Sequence, residues 1–209
     1  MTADASTPRF SRSQLVIAGI VVVVLAAMAI DTKVVVMGSA DDVKEAVFTP
    51  SEYGAKTFPE VQANITGRAV DAIELANAIA ADPKAAEAKY AVNGVYPVKF
   101  TGLVGDGKSG IYFAIVDGLP GELRLRVQTG PAINGTELRD ATGTISFSQF
   151  TNQIEYQDAG SAINNELKTE VLAKIDNSAL TGKTIAVVGA FKLVNPKIWL
   201  ITPVSLEVR

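Results

Sequence analysis

Sixteen consecutive apolar residues, LVIAGIVVVVLAAMAI at positions 15–30, follow Arg9 and Arg12 and constrain this chain more than any other stretch. An unbroken valine-rich run behind two arginines reads as a membrane segment, because the core helix of a soluble domain usually keeps a polar face. Only Asp4 offsets the arginines, whereas Asp31, Lys33, Asp41 and Asp42 follow the run. That asymmetry favours a cytoplasmic N-terminus and an exported remainder. At about 1.5 Å per residue the run spans roughly 24 Å, short of a hydrocarbon core of roughly 30 Å. Residues 34–37 can lengthen it, with Lys33 snorkelling to the far interface. The expected layout is a cytoplasmic arm at 1–14 and a membrane contact over residues 15–37. The alternative is a secretory signal cleaved after Ala29, since Ala27-Met28-Ala29 has the small-x-small pattern. We read the run as a retained single-pass anchor of the inner membrane, with the domain on the periplasmic side.

Two absences bound the chemistry. The 209 residues contain no histidine and no cysteine. Ser–His–Asp triads, Cys–His pairs, imidazole or thiolate zinc sites and disulfides are therefore excluded. Net charge is −3 with both signs spread along the chain, so the basic footprint of a nucleic-acid binder is missing and no nucleic-acid partner is expected. Neither a cofactor nor a metal is expected, and the chain reads as non-enzymatic.

From residue 38 to residue 93 the pattern is helical. Asp41 or Asp42 can cap a short helix through Val47, and Thr49-Pro50 opens a further turn through Phe58. Beyond Pro59, Val61, Ile65, Ala69, Ala72, Ile73, Ala76 and Ile79 recur at three-to-four spacing, which predicts one helix of about five turns. Asp82-Pro83 ends it and begins a short helix through Tyr90. From Gly94 the period falls to about two. Val98, Phe100, Gly102 and Val104 alternate with Lys99, Thr101 and Leu103, and Gly105-Asp106-Gly107 reads as a turn. Residues 111–116 are apolar on both faces, as for a strand covered on both sides. Leu123, Leu125 and Val127 alternate with Glu122, Arg124, Arg126 and Gln128, which predicts one wet face. A polar insertion at 130–158 follows, with a predicted strand at 144–150. Then come a helix over 159–175, capped by Asp158 or Ser161, and strands at 184–192 and 198–208.

The fold class is therefore α+β. An N-terminal transmembrane helix and a helical segment precede a five-stranded OB-like Greek-key β-barrel at 94–209, with its helix between strands 3 and 4. Gly102 is placed to bend the first of those strands, and Gly189 holds a similar position within a later one.

The insertion carries the densest polar cluster: Asn152, Gln153, Glu155, Tyr156, Gln157 and Asp158, with Asn134, Arg139 and Asp140 shortly before. Loops this long are often functional. Amides, an arginine, a carboxylate and a stacking tyrosine are what a sugar or polyol pocket uses, so Asn134, Arg139, Asn152, Gln153, Glu155 and Tyr156 are the candidate ligand or partner contacts. The same groups can instead satisfy the backbone of a long loop and cap the following helix. Glu155 and Asp158 as paired acids of a hydrolase would need a cleft between them, and nothing local supplies one. Gly105–Gly110 is not a phosphate loop, since it joins two strands. Trp199 sits among apolar residues and reads as core or edge packing.

The segments VQTGPAINGT (127–136), ISF (145–147) with FTNQIEY (150–156), Gly182-Lys183 with VVGAF (187–191), and ITPV (201–204) resemble the DUF2291 family of predicted periplasmic lipoproteins of unknown function. The resemblance implies an exported, membrane-tethered domain with an accessory role beside sugar ABC-transporter components, and it brings no catalytic residues. One position departs from the family pattern. Leu25-Ala26-Ala27 suits the residues before a lipidated cysteine, but Met28 follows, so either the helix remains as the anchor or cleavage after Ala29 frees the domain. A structural or assembly protein of the envelope, without a small-molecule site, is the competing expectation.

Overall fold

A computed structural model describes residues 11–32 and 48–209. The chain divides into two units, Met1–Val47 and Phe48–Arg209. The expected helix capped by Asp41 or Asp42, and the extension through Met37, lie outside the described residues.

In the first unit, α1 (Arg12–Asp31) is a 20-residue helix, about 30 Å long at 1.5 Å per residue. The helix gains its length at the N-terminal end, where Ser11 forms a capping box. Ser11 Oγ accepts from the Gln14 N–H at 3.3 Å, and Gln14 Oε1 accepts from the Ser11 N–H at 2.9 Å. None of its residues is buried. Among the described residues it is the helix long and apolar enough to cross a membrane.

The second unit opens with α2 (Pro50–Arg68), which runs through Pro59. Pro50 occupies the first turn, where a missing N–H costs nothing. Gly54, Phe58, Val61 and Ile65 form its buried stripe. The single long helix expected over this region does not form. Asp71 accepts from the Ile73 and Glu74 N–H groups at 2.9 and 3.4 Å, so it caps a new helix, α3 (Ala72–Ala81). The two residues freed between helices, β1 (Val70–Asp71), pair in parallel with Val98 and Lys99. Asp82 caps α4 (Pro83–Tyr90) in the same way.

Strands β2 (Val95–Lys108), β3 (Ile111–Ile115), β4 (Arg124–Gln128), β5 (Thr184–Lys192) and β6 (Ile198–Val208) pair in a ring, β2–β3–β4–β6–β5 and back to β2. With β1 there are six strands in the sheet rather than five, because the chain between α2 and α3 adds a short edge to β2. The ring closes through β2, which pairs with β5 along residues 95–103 and with β3 from Leu103 to Lys108. Gly102 lies where these pairings meet, and a Cβ there would come within 2.6 Å of the Ile115 carbonyl oxygen. At Gly189 the register against β6 shifts, and a Cβ would lie 2.5 Å from the Thr202 oxygen.

Four local expectations are corrected. The β2–β3 turn is Ser109-Gly110, both at positive φ, as a two-residue hairpin of this twist requires; Gly105–Gly107 instead falls within β2 at a register shift. The outer face of β3 is uncovered, with Ile115 55% exposed. Residues 144–150 hold no strand but a short 3₁₀ turn at Phe147–Gln149, closed by a Ser146–Gln149 capping box. Helix α6 (Gln153–Glu170) begins six residues before the expected start, because Asn152 caps it. It lies between the third and fourth strands of the ring, β4 and β5. Gly54 admits it against α2, since a Cβ at Gly54 would meet the Ala162 oxygen at 2.7 Å.

Candidate functional site

The insertion is held down by an amide that strand alternation hides. Gln128 falls on the predicted wet face of β4 yet is 1% exposed. Its Oε1 accepts from the Asn134 N–H at 3.0 Å, and its Nε2 donates to the Asn134 carbonyl at 3.0 Å and to Thr202 Oγ1 at 2.7 Å. One side chain thus replaces a strand partner for the loop backbone, which explains why a polar group is buried here.

Downstream, a single helical turn, α5 (Glu137–Asp140), carries Arg139 inward to 7% exposure. Arg139 Nε donates to Asp140 Oδ1 at 2.8 Å, and its Nη1 donates to the Tyr156 carbonyl at 3.0 Å. The guanidinium lies 3.7 Å from the Tyr156 ring centroid. Tyr156 contacts Phe147 and Phe150, with centroids 5.7 and 5.5 Å apart, and Phe150 contacts both Tyr53 and Phe48 at 5.6 Å. Burial pushes the Tyr53 phenol above its ordinary value, opposed by its hydrogen bond with Thr57.

The other candidate residues cap α6. Asn152 Oδ1 accepts from the Ile154 and Glu155 N–H groups, both at 3.0 Å, and Glu155 Oε2 accepts from the Thr151 N–H at 2.9 Å. Gln153 is exposed in the first turn, and Asn134 is engaged through its backbone. The structure therefore joins Arg139 to Tyr156 and sets Asn152 and Glu155 at the start of the same helix. Most of their hydrogen-bonding capacity is directed inward to the backbone. The N-x-x-E spacing at 152–155 was the available signal for this capping role.

Two features lay outside the candidate set. Glu137 folds over Gly135, and burial pushes its carboxyl above the usual carboxylate range, opposed by its own backbone N–H. Its Oε2 is buried without a hydrogen-bond partner. The second feature is an apolar groove of about 690 Å³ walled by Ile79, Pro83, Leu123, Leu193, Pro196 and Trp199. Trp199 is 1% exposed, as core packing predicts, and stacks on Phe191 at 4.4 Å, which stacks on Tyr96 at 5.5 Å. Its indole Nε1 is buried without a hydrogen-bond partner among the described residues. At the rim, Lys197 pairs with Glu122. The sequence signals for this groove were the Pro120-Gly121 and Asn195-Pro196 dipeptides, the second three residues before the lone tryptophan. Among the described residues, no three acidic side chains gather into a metal-like cluster.

A family model described as "Predicted periplasmic lipoprotein (DUF2291)" matches residues 19–207. The chain belongs to the DUF2291 family. No curated protein matches it. Among solved structures, an OB-fold protein from Thermotoga maritima superposes with a TM-score of 0.62 at 20% identity, covering 78% of this chain and 99% of that one. At that identity the likeness establishes the fold alone. The OB-type strand order and the helix between β4 and β5 agree with it. The family description and the N-terminal apolar helix both point to the cell envelope. This DUF2291 chain has no cysteine to acylate.

Proposed function

We propose that this DUF2291 chain is a non-enzymatic, membrane-anchored extracytoplasmic module that binds an apolar segment of a partner protein, acting as an accessory to transporter components such as those of a sugar ABC system. The observation that carries the reading is the groove itself, whose walls are apolar and include Trp199 beside Ile79, Leu123, Leu193 and Pro196. A partner segment laid there would take those apolar walls out of water. The anchor reading is supported by the length of α1 and by Arg9 and Arg12 before its apolar run, which favour a cytoplasmic N-terminus and a single pass.

The test is photo-crosslinking from Leu193 in the full-length protein, with Lys99, on β2, as the control position. The expected result is a discrete adduct with a membrane-transport component from Leu193 and none from Lys99. Equal labelling from both, or none from Leu193, leaves the envelope assembly role as the better account.

A second reading, a sugar or polyol ligand, is favoured by a recess of about 240 Å³ beside the insertion, lined by Thr57, Glu60, Asn64, Thr142 and Thr144. A ligand held at 100 times its dissociation constant should stabilise the protein by about 2.7 kcal/mol. A thermal-shift screen against sugars and polyols reads this directly, and Asn64→Ala should abolish any shift.

A further inference from the structure

The described part of the second unit begins at Phe48, and Phe48 starts a continuous row of rings. It meets Tyr53 at 5.4 Å and Phe150 at 5.6 Å; Phe150 meets Tyr156 at 5.5 Å, and Tyr156 meets Phe147 at 5.7 Å. The row ends at Phe147, which is 50% exposed, and Ile154, two residues before Tyr156 in the first turn of α6, is 70% exposed. Packing inside the domain explains Phe150 and Tyr156, which lie against the core. It does not explain two large apolar side chains left outside the same cluster.

The length of chain before Phe48 bears on what covers them. Residues 33–47 separate the cap of α1, Thr32, from Phe48. Fifteen residues reach at most about 50 Å when fully extended. If α1 stays in the bilayer, a tether this short keeps the Phe48 end of the domain at high effective concentration near the lipid. Phenylalanine and tyrosine favour the membrane–water interface, where one part of the surface is wet and the other apolar.

We propose that the surface formed by Phe147, Ile154 and the ring row from Phe48 docks on the phospholipid bilayer that holds α1, seating the domain on the membrane. The proposal rests on the reading of α1 as a retained anchor. Glu52 and Glu155 directly precede Tyr53 and Tyr156 in the chain, so the docking is apolar rather than a matter of anionic headgroups, and it is insensitive to salt.

Because the chain has no cysteine, one introduced thiol gives a single environment-sensitive fluorophore. The full-length protein is placed in phosphatidylcholine nanodiscs with the label at Val22→Cys in α1, Ile154→Cys, or Ile115→Cys. Ile115 serves as control because it is comparably exposed, at 55%, but lies on β3, which contributes no ring to the row. Labels at 22 and 154 should be quenched by spin-labelled lipid, and the label at 115 by aqueous iodide. Adding Phe147→Ser to the Ile154→Cys protein should weaken lipid quenching at 154. If 22 is lipid-quenched while 154 behaves like 115, the docking is wrong and the anchor stands. If 154 and 115 are equally protected from iodide without lipid quenching, the surface meets another protein copy and the proposal fails. Absence of lipid quenching at 22 overturns the anchor and the docking with it.

Discussion

Single residues show how polar groups in this protein are spent on the backbone. Asn152 satisfies two N–H groups that α6 would otherwise leave open. Asn152→Ala should lower stability by about 1 kcal/mol, while Asn152→Asp should keep most of it; chemical denaturation of the pair measures the difference. Glu137 behaves oppositely. Burial raises its folded pKa above the unfolded value, so the fold favours its protonated form. Its favourable contribution is complete below the unfolded pKa and is lost as pH rises through the folded one. Glu137→Gln, which cannot ionise, should therefore be more stable than the parent at neutral pH and converge with it in acid. Melting temperatures across that range give the sign directly. The N-x-x-E spacing at 152–155 carried the signal for capping at Asn152, although helical periodicity alone pointed to Asp158 or Ser161. Burial of Glu137 was not legible, because it depends on how α5 lies against the rest of the fold.

At the scale of elements, the apolar alternation of β2, β4, β5 and β6 could be read along the chain, and Leu125, Val127, Ile185, Val187, Trp199 and Ile201 are buried accordingly. Failures fell where one residue competes with a periodic pattern. The stripe from Val61 to Ile79 keeps helical spacing, yet Asp71 caps a new helix and breaks it in two. The stretch 144–150 has the threonine, isoleucine and phenylalanine content of a strand, but side-chain bonds around Ser146 and Gln149 close it into a turn. Glycines divide by what surrounds them. Gly189→Ala must displace the backbone at Thr202 and Pro203 and should cost about 1–3 kcal/mol, with faster hydrogen exchange along β5 and β6. Gly67→Ala, in α2 with nothing within 4 Å of the added carbon, should stabilise by about 0.5–1 kcal/mol.

For the whole molecule, the question is what retains it at the envelope. A thioether-linked lipid is closed to a chain without cysteine, and among the described residues the 20-residue α1 is the helix long and apolar enough to cross a membrane. The intact mass of protein extracted from membranes should include the full N-terminus, and a species beginning after Ala29 would identify a cleaved signal instead. The tripartite wall of the Trp199 groove also belongs to this scale. Its sides come from the α3–α4 junction, the β3–β4 loop and the β5–β6 loop, which are far apart along the chain and meet only in the folded unit.

What the sequence determined by itself was local or compositional. The apolar run, the absent histidine and cysteine, the change of period at Gly94 and the helix between the third and fourth strands of the ring are all readable residue by residue. Only the tertiary structure decided how β2 is shared between β5 and β3, that Gln128 turns inward to hold the insertion, and that three distant segments wall an apolar groove beside Trp199. Periodicity reports which face of an element is apolar, whereas ring closure and groove formation depend on contacts between distant segments that no local pattern records.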